Sequence, residues 1–182
     1  MRCEVKYYQD MWQQIKDCTM TTISKDQGVY PTSEWKTKLL RSEHSPIRIG
    51  FFIVKLYDIP SYVATHIARH HVGIEKFVST RRSDRGFEDE IITRDSPVDM
   101  SLHINFHALL QISRKRLCTS ADKQTIRVWK MILESIKEYE PELYDLCVPQ
   151  CLYCGYCPEF KSCGYANTKS FEDKLYWYRK AD

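Results

Sequence analysis

From Ile47 to Leu56 the chain alternates, with Ile47, Ile49, Phe51 and Ile53 on one side and Arg48, Gly50, Phe52 and Val54 on the other. β-branched and aromatic residues at a period of two write a strand with one well-buried face. After Phe52 the second face is largely apolar too, which places the strand inside a sheet rather than at an exposed rim. A chain that must surround such a strand is restricted to folds with a central sheet.

Helical signals lie on both sides of it. Met11, Trp12, Ile15 and Met20 fit a short amphipathic helix between Gln9 and about Thr22, and Thr32 or Ser33 caps a second one through Trp35, Leu39 and Leu40. Asp58 and Pro60 supply a cap and a first-turn proline for a helix running to about His71, with Gly73 as its stop. Leu102, Phe106, Leu109, Leu110 and Ser113 read as one helix. A further helix from Ser120 or Asp122 carries Ile126, Trp129, Ile132, Leu133 and Ile136 until Pro141 interrupts it. The expected class is mixed α/β (α+β), with 182 residues enough for one domain and a short appended module. The division expected is a catalytic domain over 1–146 and a cysteine-rich tail over 147–182 that does not fold by itself.

Composition narrows the function classes. The polar start, Met1-Arg2-Cys3-Glu4, is not a secretory leader, and no apolar run approaches the roughly 20 residues of a membrane span. A cytoplasmic protein without membrane contact is expected. The net charge of +3, from 27 basic and 24 acidic residues spread along the chain, gives no reason to expect nucleic acid as a partner. Eight cysteines without an export signal point to thiols or metal ligands rather than disulfides. Cys147, Cys151, Cys154, Cys157 and Cys163 crowd together. Cys151, Cys154, Cys157 and Cys163 have the short spacings of a structural zinc site; the run Cys151-x2-Cys154-x2-Cys157-Pro158 also partly matches an iron–sulfur ligand string; free thiols are the third reading.

Two stretches carry chemistry. Arg69, His70 and His71 are followed by seven residues and then by Ser79, Thr80, Arg81 and Arg82. A hydroxyl and a guanidinium two residues apart can hold a phosphate by one hydroxyl bond and a bidentate fork. Asn105, Gln111, Arg114, Lys115 and Arg116 sit in an otherwise apolar helical stretch, where amides and guanidinium groups need partners such as the carbonyl and ring-nitrogen edges of a flat heteroaromatic ligand.

Arg69-His70-His71, seven residues and Ser79 resemble the Arg-His-Arg, seven residues, Ser signature of the flavin-dependent thymidylate synthases, and Arg81 matches the arginine two positions after that serine. Ser42-Glu43-His44-Ser45-Pro46 is similar to the family's His/Glu-Ser-Pro segment. The run Asn105 to Arg116 resembles its helix for flavin and nucleotide, and Cys157-Pro158-Glu159 with Cys151 and Cys163 resembles a tail found in part of the family. The resemblance implies a non-Rossmann α/β fold, and no Gly-x-Gly-x-x-Gly occurs here. It implies FAD held by Arg69, His70, His71, Asn105 and Gln111, and dUMP held by Ser79, Arg81 and Arg116. Arg116 would also be the catalytic group that stabilises charge on the pyrimidine carbonyl. It further implies a homotetramer with active sites between subunits, and a methyltransferase reaction: reductive methylation of dUMP to dTMP with methylenetetrahydrofolate and NADPH. His71 in place of arginine, Lys76 and Phe77 in place of a polar pair, and Arg82 in place of tyrosine depart from the pattern. They keep open a related flavoenzyme acting on another pyrimidine nucleotide, for instance by hydroxymethylation, and a non-catalytic metal- and nucleic-acid-binding module.

Overall fold

The alternation around Phe52 becomes β2, Phe51–Pro60, in which Phe52, Val54 and Leu56 are fully buried while Phe51, Ile53 and Lys55 are half-buried. The computed structural model describes residues 1–26, 28–80, 83–86 and 93–180. β2 lies between β1 (Arg2–Tyr8) and β4 (Pro97–Asn105), and β3 (Ile74–Val78) pairs with the far side of β4, so the sheet order is β1-β2-β4-β3 with every described pairing antiparallel. The central place expected for this strand is therefore found. Its start is not: residues Ser45–Arg48 form a 3-10 turn that buries Pro46 and Ile47, and the strand begins four residues later than the alternation implied.

One face of the sheet is packed by helices, among them α1 (Trp12–Thr21), α2 (Ser33–Arg41), α4 (Phe106–Arg116) and α5 (Lys123–Ile136), to make a mixed α/β single domain. Phe52, Leu102, Ile104, Phe106, Trp129 and Ile132 are wholly buried at this junction, each worth about 1.5–3 kcal/mol of transfer free energy. Gly50 is required where β2 enters it, because a Cβ there would lie 2.4 Å from the Phe106 ring. The other face carries Tyr7, Phe51, His103 and Phe77, with Tyr7, Ile53, His103 and Glu75 in register across the strands; Phe51 stacks on Tyr7 at 5.6 Å and meets His103 at 4.4 Å.

The helix caps follow the sequence closely. Thr32 Oγ1 accepts from the Trp35 N–H, and Asp122 Oδ1 accepts from the Thr125 N–H, as expected for α2 and α5. Three assignments are corrected. α3 is Ser61–Ala68, with Pro60 before its first turn, while Asp58 stays in β2 at φ 54° with its N–H donating to Asp99 Oδ1. Arg69 closes α3, so His70 and His71 lie in the following loop instead of the last helical turn. Leu102 belongs to β4, because Asn105 ends the strand and caps α4 through its side chain.

Pro141 starts the short helix α6 (Pro141–Leu146), and α7 (Gln150–Cys154) and α8 (Lys169–Lys180) follow, with α7 against α4 and α8 against α7. No helix among the described residues is long and apolar enough to cross a membrane.

Candidate functional site

α4 runs alongside the 66–73 segment, and its two ends reach different parts of it. At the N-terminus Asn105 Oδ1 accepts from the Ala108 N–H, and its main-chain N–H donates to the Gly73 carbonyl at 2.9 Å. Gly73 has φ +71° and packs so tightly on the Asn105 amide that a Cβ would lie 2.6 Å from Oδ1. The amide lines a cavity of about 230 Å³ with Arg48, Phe51, Gly73, Glu75 and His103.

At the C-terminus of α4, Arg116 Nε donates to His70 Nε2 at 2.9 Å and its Nη2 donates to the His66 carbonyl at 2.5 Å. His66 in turn shares a 2.8 Å hydrogen bond between Nδ1 and Thr125 Oγ1, which ties this segment to α5. Lys76 Nζ, reaching back from β3, donates to the His70 carbonyl. An amine that long can fasten the loop that presents His70.

The electrostatics are one-sided. Among the described residues neither Arg69, Lys76 nor Arg116 has a carboxylate in ion-pair range. Burial, then the Arg116 guanidinium, then Lys76 push the His70 imidazole down to about 4. Burial, then the nearby Arg69, lower Arg116 from its ordinary value. His70 is therefore neutral at pH 7, accepting from Arg116 at Nε2. Between its ordinary value of 6.5 and about 4, the unfolded chain binds a proton that the folded chain refuses. Stability is present in full above pH 6.5 and is lost as pH falls through this window. His70→Asn is expected to lose about 1–2 kcal/mol less than the wild type over that range once screening at its exposed edge is allowed for, as urea midpoints at the two ends would read.

Gln111 and Arg114 point elsewhere. The Gln111 amide donates to Glu43 Oε2 at 2.6 Å, and Arg114, which is buried, pairs with Glu43 Oε1 beneath the Tyr153 ring, whose centroid is 3.6 Å away. Burial works against the Glu43 charge, but Arg114, Tyr153 and Gln111 outweigh it and hold the carboxyl below its usual range. His107 Nε2 is 3.3 Å from the same carboxylate, yet burial keeps its imidazole below the ordinary value, so the contact is a hydrogen bond of a neutral ring. Glu43 was legible only as part of the Ser-Pro segment, and His66, whose carbonyl accepts from Arg116, carried no sequence signal of that role.

Ser79 lies at the opposite end of β3. Its Oγ accepts from the Asp99 N–H at 3.0 Å, which leaves the hydroxyl proton free to be donated outward, and the residue is exposed. Six residues of extended chain separate it from Gly73, about 20 Å. Within one chain the structure brings together Arg69, His70 and Arg116, sets Asn105 against Gly73 at the other end of α4, and leaves Ser79 apart. His71 is exposed in the loop, and Arg81 lies outside the described residues.

The expected metal ligands are not assembled as a set. All eight cysteines are free; Cys154 Sγ is held by Gln150 Nε2 at 2.9 Å, and among the described residues no group of three or more His, Cys, Asp or Glu is gathered to hold a metal ion. The single zinc ion expected from spacing is corrected accordingly. The short α7 turns Cys154 toward Gln150, and spacing alone does not encode that.

The fold as a whole is similar to that of solved flavin-dependent thymidylate synthases. The crystal structure of the flavin-dependent thymidylate synthase ThyX from Helicobacter pylori complexed with FAD and dUMP matches at a TM-score of 0.63 and 12% identity, covering 81% of this chain and 100% of that one. A second structure of the same enzyme with FAD and dUMP, at 2.31 Å resolution, gives 0.59 and 13%, covering 81% and 99%. No protein-family model and no curated protein matches the sequence.

Proposed function

We propose that this chain is an FAD-dependent thymidylate synthase that methylates dUMP at ring carbon 5, with methylenetetrahydrofolate as carbon donor and NADPH as reductant. The observation that carries the reading is the uncompensated positive cluster of Arg69, Lys76 and Arg116 around a neutral, half-buried His70. Arg69 is exposed, but Lys76 and Arg116 are partly withdrawn from water, and such cations without a carboxylate are costly unless an anion joins them.

The residues present fit a flavin nucleotide. Arg69 supplies a phosphate partner, the neutral His70 ring and the Asn105 amide supply hydrogen bonds for a flat ring edge, and the Gly73 turn lets backbone approach closely. Bound flavin would supply hydride chemistry; this chain's residues would bind, orient and polarise. Arg116, fixed by His70 and the His66 carbonyl, would present its remaining N–H groups to a pyrimidine carbonyl, and Ser79 would donate its free proton to the nucleotide phosphate. Gln111, engaged by Glu43, would support α4 and the flavin-side wall through that network.

Because Ser79 is about 20 Å along β3 from the His70 loop, the complete site takes Ser79 and Arg81 from one copy and Arg69, His70 and Arg116 from another. A homotetramer provides such pairs. Phe77, 66% exposed on the edge strand β3, and the aromatic open face of the sheet favour burial against further copies.

Purified protein reconstituted with FAD is expected to show flavin absorption that shifts on adding dUMP, and to yield dTMP by mass spectrometry when both co-substrates are present. Failure to retain flavin under any reconstitution condition overturns the reading. A hydroxymethylated product from dUMP would replace it with the related pyrimidine-modifying activity.

A further inference from the structure

α5 buries a stripe that runs through Val128, Trp129, Ile132 and Ile136, and Thr125 stands at its head. Thr125 is fully buried, at a position where valine would fill the same volume with no polar atom to satisfy. Capping does not require the hydroxyl, because the Asp122 carboxylate already accepts the Thr125 main-chain N–H at 2.9 Å. The hydroxyl has work of its own. It donates to Asp122 Oδ1 at 3.1 Å, and its oxygen meets His66 Nδ1 at 2.8 Å.

That order of donors fixes the His66 tautomer. The Thr125 N–H, with the hydroxyl helping against burial, holds the Asp122 carboxyl below its usual range, and an ionised carboxylate only accepts. The hydroxyl proton is thus committed to Asp122, and His66 must carry a proton on Nδ1 to donate to the Thr125 oxygen. Tyr62 lies edge-on to the same ring at 5.6 Å. The His66 ring therefore anchors the end of α3 to α5, while the His66 carbonyl accepts from Arg116 Nη2 at 2.5 Å. Three hydrogen bonds connect the cap of α5 to the guanidinium at the end of α4.

We infer that Thr125 is a positioning residue for Arg116: through the His66 ring, its hydroxyl sets where the His66 carbonyl stands and so the direction of the remaining guanidinium N–H groups. The effect on turnover rests on the thymidylate synthase reading proposed above; the coupling from Thr125 to Arg116 does not. A misplacement of about 1 Å at a reacting centre costs on the order of 100-fold in rate. Losing the Thr125 hydroxyl costs less, because Arg116 Nε keeps its second anchor at His70.

Thr125→Val keeps the shape and the Asp122 cap but deletes both hydroxyl bonds. Its kcat for dTMP formation is expected to fall about 10-fold, with KM for dUMP within about twofold of wild type and flavin content unchanged. Thr125→Ser, which keeps the hydroxyl, should recover at least about half of the wild-type kcat. His66→Leu cuts the same bond from a half-buried position, so the test does not hang on one substitution in the core; it should show a similar loss, and the double variant no more than either alone. The His70 imidazole, followed by NMR titration, reads the coupling without any turnover. Burial, then Arg116 from α4, Lys76 from β3 and the neighbouring His71, hold it down to about 4. Loosening Arg116 should move it up toward 6.5 in Thr125→Val and in His66→Leu, and leave it in place in Thr125→Ser. A folded Thr125→Val or His66→Leu in which the His70 titration is unmoved overturns the coupling, and one in which kcat is unchanged overturns its part in turnover. Wild-type protein that makes no dTMP sinks the thymidylate synthase reading instead, and the His70 titration still decides the coupling.

Discussion

On the proposed thymidylate synthase reading, Arg116→Gln is expected to lower the turnover of dUMP to dTMP by about 100- to 1,000-fold, because it would delete a fixed donor at the carbonyl where charge develops. The guanidinium is preorganised before substrate arrives: Nε is bound to His70 and Nη2 to the His66 carbonyl, itself anchored through Thr125. Glutamine keeps a donor but loses both the charge and the fork. Arg116→Lys restores the charge without the two simultaneous contacts and should recover only part of the rate. Flavin content should stay close to wild type, which separates this outcome from loss of the fold. The variant also removes one of the influences that hold His70 low, so the imidazole should titrate closer to 6.5, and an acid limb in the rate should move to higher pH with it. Rates of dTMP formation from pH 5 to 8 measure both effects, and an unchanged turnover would sink the assigned role.

The same variant interrogates the assembly. If Ser79 acts on a nucleotide bound beside another copy's Arg116, then Ser79→Asp and Arg116→Gln chains are each inactive alone but regain activity when co-expressed, since hybrids contain some sites with neither lesion. A site contained in one chain would give hybrids as inactive as their parents. The separation along β3 makes the first outcome the expected one.

How much of this was legible in the sequence depends on how local each signal is. The alternation in β2 and the caps at Thr32 and Asp122 act over a few residues; the caps were found where expected, and the strand too, apart from its first four residues. β4 was hidden because Leu102, Phe106, Leu109 and Leu110 satisfy a helical period, while Val98, Met100, Leu102 and Ile104 satisfy a strand period; the two share Leu102. What decides between them is tertiary, namely that β4 pairs with both β2 and β3. Asp58 misled in a similar way. It has the chemistry of a cap, but an irregularity in the β2–β4 pairing places it at positive φ, with its N–H answered by Asp99. At the site, the Arg-His-His and Ser79 pattern located the chemistry but could not say that β3 holds its halves apart. That Cys118 lines one cavity with Cys151 was not legible, since only the packing of α7 on α4 brings residues 33 positions apart together.

Trp12→Ala is expected to cost about 4–5 kcal/mol, a third or more of the 5–15 kcal/mol that holds a typical domain together. Trp12 is 1% exposed against Phe106, and its Nε1 donates to both oxygens of Glu140 at 2.8 Å. The alanine therefore opens a cavity at the base of the sheet and also strips a buried carboxyl of a donor, leaving Tyr8, whose hydroxyl donates at 2.6 Å. Trp12→Phe isolates the second effect, since most of the volume remains and only the N–H is lost; about 1–3 kcal/mol is expected. Burial already pushes the Glu140 carboxyl up, against the opposing help of Tyr8 and Trp12. Losing the indole donor raises it further. A folded-state value above the unfolded one means that the folded chain binds the extra proton, so stability is greatest below the ordinary carboxylate range and falls as pH rises through the window. The deficit of Trp12→Phe relative to wild type should thus be larger at pH 8 than at pH 5. Urea midpoints at the two pH values read this directly, and equal deficits would mean that the carboxyl stays neutral throughout.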